Sequence, residues 1–276
     1  QIYNGSNPIA GNAGYMMAPE QMTMRMQMLG MMYSPTDKLT LMAMTSYKHN
    51  TMGMMNPLGT HVMRMKSSGL GDSSLTALYQ VYNATRGAGS ANAHVGFGVS
   101  LPSGDIDKKV PTGGAAGRDL PFPMQLGSGT FDFTPSITYN QSINDQWSWG
   151  GQAKATFHTG TNDSGYSLGD SLNLTSWVAR KVTHNISVSG RVNFKSWSGI
   201  EGTQTNGLHR MNPTLSLPAD PNNSGGSRTD LFLGVNYIHL NGVRLAAEVG
   251  KPIYQDLQGV QLTSDWTVNL GIQFAW

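Results

Sequence analysis

The 276-residue chain has no cysteine, few charged residues and no long apolar run, and each absence excludes a class of protein. Without cysteine there is neither a disulfide framework nor thiolate chemistry. Asp, Glu, Lys and Arg make up 12% of the residues, whereas a soluble domain has about 25%. No apolar run approaches the roughly 18 residues that indicate a transmembrane helix. The formal net charge of +2 is too small to indicate nucleic acid as a partner.

The last twelve residues, Asp265 to Trp276, alternate between apolar and small polar side chains. One face of such an extended strand carries Trp266, Val268, Leu270, Ile272, Phe274 and Trp276. Because strand side chains point alternately to opposite faces, the other face is small and polar. About 9–11 residues suffice for a tilted strand to cross a bilayer. An alternating strand with a terminal aromatic residue resembles the assembly signal of bacterial outer-membrane β-barrels.

The same alternation recurs in five earlier segments, at 94–101, 131–140, 147–157, 186–195 and 243–249. Their polar faces carry mainly Gly, Ser, Thr, Asn and Gln with isolated charges, which is typical of a barrel interior. Short turns alternate with long polar loops at roughly 50–68, 103–128, 160–169, 199–227 and 253–263. Outer-membrane barrels have periplasmic turns and longer extracellular loops. We therefore predict an all-β fold, a closed antiparallel transmembrane β-barrel that forms one domain over residues 1–276.

Eleven strands can be read from the pattern, whereas single-chain bacterial barrels have even strand numbers. The predicted strands span about residues 20–33, 39–49, 69–83, 91–102, 129–142, 147–159, 170–182, 186–198, 228–240, 243–252 and 264–276. The last strand must run towards the periplasm, and counting back makes the first strand run the same way. We therefore expect twelve strands, one of them upstream of Gln1, with residues 1–19 as an extracellular loop-like segment; the alternative is that one hairpin is miscounted, since strand boundaries are the least certain part of the pattern.

Several segments, in their order along residues 15–276, resemble one known family. They are GLGDSSLTALYQ from Gly69, FGVSLPSGDID at 97–107, LPFPMQLGSGTFDFTPSITY at 120–139, WSWGGQAKAT at 147–156, GYSLGDSLNLTSWVA at 165–179 and the closing DWTVNLGIQFAW. The family is that of outer-membrane "transporter" proteins named for the MetA pathway of phenol degradation. The start MTMRMQMLGMMYSPTDKLTLMAMTSY is similar to a Met-rich subgroup. The resemblance implies a barrel channel in the bacterial outer membrane.

The free-energy cost of exposing a charged side chain to lipid predicts which face of each strand points to the lumen. An Arg facing lipid at mid-depth costs about 2–4 kcal/mol, so we expect Arg25 to face the lumen and Met22, Met24, Met26 and Met28 to face lipid. Alternation adds further lumen-lining residues: His94, Asp132, Lys154, Arg191, Lys195, Arg244 and Glu248. Because cations exceed carboxylates in this set, an open lumen would favour anions or neutral solutes. Side chains that pair across the lumen would instead plug it.

We expect Trp147, Trp149, Trp266 and Trp276 at the lipid face or its interfaces.

Methionine is concentrated near the start, with 15 of 17 residues before position 66. We expect Met42 and Met44 to face inward. The adjoining extracellular loop contains a candidate metal set of His49, Met52, Met54, Met55, His61, Met63 and Met65. Thioethers are soft ligands that favour Cu(I) or Ag(I), so Cu(I) is the expected ion if these residues bind metal. The alternative is that the methionines are flexible packing residues.

Three classes of function remain. The first is an outer-membrane channel for small solutes, specialised either for copper or another soft metal, or for small hydrophobic or aromatic compounds. The second is a plugged structural barrel that anchors a partner complex, in which residues 120–124 either dock a partner or fold into the lumen. Expected partners are outer-membrane lipid, small solutes or metal ions, and other chains in a homo- or hetero-oligomer.

The third class, a hydrolase, has weak support, and we predict that the chain is not an enzyme. His158 is followed by Asn162, Asp163 and Ser164. A nucleophile needs an adjacent base, and no G-x-S-x-G motif accompanies these residues.

Overall fold

Antiparallel β-strands account for most of the regular structure. The structure, a computed structural model, describes residues 1–9, 11–86, 89–239 and 242–274. The strands are β1 (Ile2–Gly5), β2 (Asn7–Pro8), β3 (Ala18–Tyr33), β4 (Leu39–Met55), β5 (His61–Leu70), β6 (Ser73–Arg86), β7 (Gly89–Leu101), β8 (Asp132–Ser142), β9 (Trp147–His158), β10 (Tyr166–Ser167), β11 (Ser171–Lys181), β12 (Ile186–Trp197), β13 (Glu201–Gly202), β14 (Gly226–Ile238), β15 (Arg244–Leu262) and β16 (Thr267–Gln273). Short helical turns lie at Phe122–Met124, Leu208–Met211 and Leu217–Ala219. Within these described ranges, no helix has the length and apolarity needed to cross a membrane.

The long strands form one meander in chain order. Each pairs antiparallel with its neighbours along β3, β4, β6, β7, β8, β9, β11, β12, β14 and β15. β5 pairs with the loop-proximal half of β4 and β6 with the other half, so that β5 and β6 together make one wall strand. Similarly, β16 and β1 pair with different parts of β15. The all-β antiparallel prediction is confirmed, and each of the eleven predicted strands corresponds to a wall strand.

The sheet is not closed within the described residues. β3 pairs with β4 alone, and β16 pairs with β15 alone. Because an even number of reversals separates them along the meander, β3 and β16 run in the same direction. They therefore cannot form the antiparallel seam of the predicted barrel. Residues 1–19 contain a small hairpin of β1 and β2, which extends the sheet at the loop-proximal end of β15.

Alternation gives the sheet two chemically different faces. The inner face is the one against which residues 102–131 and 198–225, together called the loop insert, pack. The outer face exposes large apolar side chains on successive strands, including Leu270 (81% exposed), Leu233 (64%) and Val192 (44%). Such a continuous apolar surface is expected of a sheet that faces lipid. Trp147, Trp149 and Trp266 also lie on the outer face, whereas Trp276 lies outside the described residues.

The predicted faces of β3 are wrong. In the register of β3 with β4, Met24 lies opposite Asn50 and Met26 opposite Lys48, and the Lys48 ammonium group contacts the loop insert. The four methionines Met22, Met24, Met26 and Met28 therefore lie on the inner face.

Arg25, opposite His49, lies on the outer face instead of in the lumen. The physical reason is its depth in the membrane. Arg25 is eight residues from the end of β3 at Tyr33, which is about 20 Å along the membrane normal for a tilted strand. That distance places Arg25 near the edge of an apolar band about 25 Å tall, where an outward Arg costs only about 0–1 kcal/mol.

The predicted extracellular loop 50–68 is also wrong, because this segment is a hairpin of two extended strands. β4 continues to Met55 and β5 begins at His61, which leaves residues 56–60 as the turn. The Asn56 Oδ1 closes this turn by accepting hydrogen bonds from the N–H groups of Leu58 and Thr60, both at 3.0 Å. The strands were hidden in the sequence because their apolar methionines lie on the inner face against the loop insert, whereas their outer face carries Thr51, Arg64 and Lys66, the reverse of a lipid-facing pattern.

Candidate functional site: the inner face and its loop insert

Asp72 attaches both ends of the first inserted segment to the wall. It lies at the break between β5 and β6. Its Oδ1 accepts a hydrogen bond from the Gly104 N–H at 2.9 Å, and its Oδ2 accepts one from the Ser128 N–H at 2.7 Å. Hydrogen bonds to an ionised carboxylate are stronger than those between neutral groups. A single side chain therefore holds the start and the end of residues 104–128.

Two further wall residues hold this segment close to its C-terminal end. The Lys48 Nζ donates to the Leu126 carbonyl at 2.7 Å, and the Ser67 Oγ donates to the Met124 carbonyl at 2.6 Å. Both acceptor residues are fully buried. Of the two alternatives expected for residues 120–124, the structure shows the second: the segment folds against the inner face and is not available as an exposed docking surface.

The two segments of the loop insert bind each other. The Gln204 Nε2 donates to the Leu120 carbonyl at 3.0 Å, and the Asn206 Nδ2 donates to the Gly117 carbonyl at 2.9 Å. The Asp119 N–H donates to the Asn206 carbonyl at 3.1 Å. Because these bonds join residues more than 80 positions apart, the loop insert is one folded unit rather than two independent loops.

A buried aromatic pair supports the insert from the side of β10. The rings of Phe122 and Tyr166 meet edge to face, with centroids 4.9 Å apart. Burial raises the pKa of Tyr166 to about 12, so that the phenol is neutral at physiological pH. The Asn162 Nδ2 donates to the Ser128 carbonyl at 2.8 Å and joins the same region to the insert.

An ion pair lies on the inner face in the turn-proximal half of the wall. Arg191 on β12 donates to both carboxylate oxygens of Glu248 on β15, from Nε at 2.9 Å and from Nη2 at 2.6 Å. The guanidinium carbon lies 4.0 Å from the centre of the Phe232 ring. The Asn269 Nδ2 also donates to Glu248, at 3.1 Å. The bidentate hydrogen bonds, the Phe232 ring and the Asn269 amide therefore fix the orientation of both side chains. The two opposite charges largely neutralise each other.

The other predicted lumen-lining residues also lie on the inner face. His94 lies opposite Thr138, and Lys154 lies opposite Asn173. Asp132 is buried and accepts a hydrogen bond from the Thr130 hydroxyl at 2.6 Å. Lys195 and Arg244 share their faces with Arg191 and Glu248, respectively, because they are separated from them by four residues. Of the predicted set, Arg25 is the exception.

A cavity of about 500 Å³ lies next to the ion pair. Its lining includes Ser148, Trp177, Ser189, Asn236, Arg244 and Asn269. This mixture of hydroxyl, amide and cationic groups offers hydrogen bonds to a polar solute without a net negative field. The loop insert and this cavity divide the inner face into a filled loop-proximal half and an open turn-proximal half.

The structure separates the members of the predicted metal set. Met42, Met44, Met52 and Met54 on β4 lie on the inner face, together with Met63 and Met65 on β5. His49 lies on the outer face, so it cannot join these thioethers in one site. Met55 packs on the cluster of Ile2, Ala18 and Leu217. The side chain of His61 lies outside the described residues. In the described residues, no group of three or more His, Cys, Asp or Glu is arranged to hold a metal.

Sequence reasoning missed four residues that define the inner face: Asp72, Trp177, Phe232 and Asn50. Asp72 had a local signal, a Gly-Asp pair between two strand patterns. Trp177 and Phe232 face inward, in a lumen expected to be polar, and the two-residue period of their strands places them there. Asn50 is inaccessible to solvent within β4, and the prediction of a loop at this position concealed its burial.

The residues that suggested a hydrolase have structural roles. The Asn162 Oδ1 accepts a hydrogen bond from the Ser164 N–H at 3.1 Å, and the Ser164 Oγ donates to the Ile106 carbonyl at 3.4 Å. The His158 Nε2 lies 3.8 Å from the Asp132 carboxylate. These contacts connect loops to strands and do not direct the serine hydroxyl at the imidazole.

Comparison with known proteins supplies the family and supports the fold. The family model described as "Putative MetA-pathway of phenol degradation" matches residues 38–237. An outer membrane channel from Pseudomonas putida F1 has a TM-score of 0.61 and 15% sequence identity, covering 91% of this chain and 82% of that chain. The NanC porin has a TM-score of 0.41 and 7% identity, covering 91% and 99% of the two chains. Among curated proteins, none matches the chain.

The similarity to the outer membrane channel agrees with the antiparallel all-β fold. The structural similarity covers nine-tenths of the chain, although the sequences have diverged to 15% identity. The resemblance to a Met-rich subgroup stays a prediction. The family model covers well over half of the chain, and the protein is therefore an outer-membrane protein that belongs to the family of the putative MetA pathway of phenol degradation.

Proposed function

We propose that the protein is a channel for small solutes whose pore is narrowed by the loop insert. The observation that carries the proposal is the division of the inner face. A folded insert is anchored by Asp72 and Lys48 at the loop-proximal end, and a cavity of about 500 Å³ with both polar and apolar lining lies at the other end. The similarity to an outer membrane channel supports the same function. In this proposal the protein is not an enzyme.

Small neutral or anionic solutes fit the inner face best. Arg191 is neutralised by Glu248, and Arg228 pairs with Asp230, whose carboxylate lies 2.9 Å from the Arg228 Nε. Lys154 and Arg244 face the same space, and Arg244 is held by the neutral amide of Asn236. The cations that no carboxylate neutralises therefore give the space along the inner face a mildly positive electrostatic potential. Such a field attracts anions and repels free hydrated cations.

A twelfth strand would close the barrel between β3 and β16. Within the described residues, both of these strands have an unpaired edge, and unsatisfied backbone groups in hydrocarbon cost several kcal/mol each. Because β3 and β16 are parallel, one strand of the opposite direction satisfies both edges and gives an even number of strands. The strand expected upstream of Gln1 would have this direction.

Conductance measurements in planar bilayers test the channel. We compare the protein with a variant carrying Lys48→Met and Asp72→Asn, which removes charge-assisted bonds to the insert worth about 1.5–3 kcal/mol each. The matched control is Asp37→Asn in an exposed turn. We expect several-fold higher conductance in the double variant alone, with entry of larger neutral sugars in liposome swelling.

Two alternatives predict other results. A structural barrel that anchors a partner complex predicts no conductance from the protein or from the double variant. A pathway for small hydrophobic or aromatic compounds predicts that these compounds, and not sugars, block the current. The second alternative is favoured by the apolar, polarisable methionines on the inner faces of β3 and β4, because thioethers make favourable contacts with aromatic rings.

Specialisation for a soft metal is a further candidate, and the observation that favours it is also the methionine arrangement. Inner-face methionines follow β3 and β4 from the loop insert to the turn-proximal end, from the pair Met22 and Met52 to the pair Met32 and Met42. Thioether sulfur binds Cu(I) or Ag(I) without losing a proton, so such a ladder would interact with these ions at any physiological pH.

A further inference from the structure

The inner-face methionines of β3 and β4 are joined by methionines of β5 at the level of the loop insert. There Met22, Met52 and Met65 lie directly opposite one another on β3, β4 and β5. Residues in direct cross-strand pairs have Cβ atoms about 4.5–5.5 Å apart. Three flexible thioether side chains therefore start side by side on the same face of the sheet and can reach a common point above the central strand.

The loop insert adds a fourth thioether from the opposite side. Met124 packs in the same buried cluster, and its backbone carbonyl is held by the Ser67 Oγ at 2.6 Å. Met52 is 2% exposed, Met65 1% and Met124 0%. Met54, also 0% exposed, belongs to the same cluster, and Met63 packs against it. The thioethers thus come from the wall and from the insert, as the ligands of an enclosed ion would.

An unpartnered polar group lies beside this cluster. Asn50 is the next inner-face residue below Met52 on β4, and its side chain is 0% exposed. Among the described residues, neither its amide nitrogen nor its amide oxygen has a hydrogen-bond partner. Burying an amide without hydrogen-bond partners is unfavourable for folding. The Asn50 amide therefore lies next to the thioethers, and its oxygen is free to contact a bound ion.

We propose that Met22, Met52, Met65 and Met124 form a binding site for a soft monovalent cation, Cu(I) or Ag(I), with the Asn50 amide oxygen oriented towards the ion. All of these donors are neutral, so binding requires no deprotonation and the site favours a single positive charge. A divalent ion would lose more hydration energy and would find no carboxylate among these donors. The inference rests on the proposed channel function only for the route by which the ion reaches the site.

The site joins the wall to the loop insert. A bound ion would link Met124 of the insert to Met52 and Met65 of the wall, and it would reinforce the attachments made by Lys48 and Asp72. The expected consequence is that Cu(I) or Ag(I) holds the insert in place and lowers the conductance of the proposed channel.

Titration of the detergent-purified protein tests the site. The probes are Ag(I), and Cu(I) under reducing conditions, each in competition with a coloured chelator. The test variant carries Met52→Leu and Met65→Leu, because leucine keeps the apolar volume and removes the donor. The matched control carries Met31→Leu and Met211→Leu, two exposed methionines that belong neither to the inner-face series nor to the buried cluster. We expect one tight ion per chain in the wild type and the control, and at least a tenfold loss of affinity in the test variant.

Heat-modifiable gel migration verifies that each variant is folded, and a single Met124→Leu variant provides an independent test if the double variant is unstable. Equal affinity in the test variant and the wild type, or no stoichiometric binding by the wild type, would overturn the site. Conductance is measured separately on the same samples. A protein that binds the ion but does not conduct retains the site and loses the channel, and the reverse result retains the channel alone.

Discussion

The indole of Trp177 occupies the space that a side chain at Gly150 would need. A Cβ at position 150 would lie 2.5 Å from the Trp177 Cζ2 and 2.8 Å from the Tyr139 carbonyl oxygen. β9 and β11 pair directly at these two residues, with Trp177 on the inner face. The wall therefore accommodates a large inward aromatic ring because its cross-strand partner has no side chain.

Gly150→Val should destabilise the folded sheet by about 1–3 kcal/mol, because the added atoms overlap the ring and a backbone carbonyl. Urea unfolding in detergent, followed by gel mobility, measures the change. Gly190→Ala is the control, since a Cβ there has no atom within 4 Å. Adding Trp177→Leu to Gly150→Val should recover part of the loss. Equal stability of Gly150→Val and the wild type would contradict the close contact.

Glu248→Gln should make the proposed channel more selective for anions. The substitution removes the carboxylate that neutralises Arg191 through bonds of 2.9 and 2.6 Å. Arg191→Gln should shift the selectivity in the opposite direction, because it leaves Glu248 as an unpaired anion. Reversal potentials in a salt gradient report both changes. Shifts of the same sign in the two variants would mean that the pair does not face the conducting space.

Phospholipids with brominated acyl chains should quench the fluorescence of outer-face tryptophans much more than that of inner-face tryptophans. Variants that retain Trp149 alone or Trp177 alone form a matched pair, since both residues lie on neighbouring strands near the turn-proximal end. We expect strong quenching for Trp149 and weak quenching for Trp177. Comparable quenching of both would contradict the assignment of the faces.

The absence of native cysteine allows the proposed twelfth strand to be tested by cross-linking. Leu29→Cys on β3 and Leu270→Cys on β16 both place a thiol on the outer face. With one strand between them, the two edges are about 10 Å apart, or two strand spacings. A flexible cross-linker of that span should join the thiols, scanned over adjacent outward positions, whereas direct disulfides should not form. Efficient disulfide formation would exclude an intervening strand.

Asn50→Leu should stabilise the metal-free protein and weaken the binding of Ag(I). The substitution removes a buried amide that lacks partners, which is expected to contribute about 1–3 kcal/mol of stability. Loss of its dipole should lower the affinity of the proposed thioether site several-fold. Thermal unfolding with and without Ag(I) measures both effects. Unchanged affinity together with higher stability would limit the site to the methionines.

Alternation predicted the strands well because it is a local property with a strict period. The run from Trp147 to Phe157 needs no distant partner to be recognised, and the corresponding strand is β9. The predicted faces of β3 were wrong because Arg25 lies near the edge of the apolar band and not at mid-depth, and depth depends on where the whole sheet crosses the membrane. The hairpin of β4 and β5 was missed because its apolar side chains lie on the inner face and its outer face is polar, the reverse of the pattern in the lipid-facing strands.

The details of the inner face depend on contacts between distant residues, which one sequence does not reveal. Arg191 and Glu248 are 57 positions apart, and Lys48 and Leu126 are 78 apart. Composition indicated a polar interior with isolated charges, but it did not indicate which charges form pairs. It also did not indicate that residues 120–124 fold inward, since an apolar loop segment fits a docking surface equally well.

The interruption between β5 and β6 divides the wall into two parts with separate tasks. β4 is the partner of both strands. Where it pairs with β5, the upper part of the wall, its inner side chains pack on the loop insert; where it pairs with β6, the lower part, its outer side chains belong to the apolar outer face. In the proposed channel, the lower part forms the lipid-facing wall and the upper part shapes the entrance. Substitutions in the hairpin of β4 and β5 can therefore change what the entrance admits while the membrane-embedded wall keeps its sequence. Selectivity and assembly can evolve independently in such a sheet.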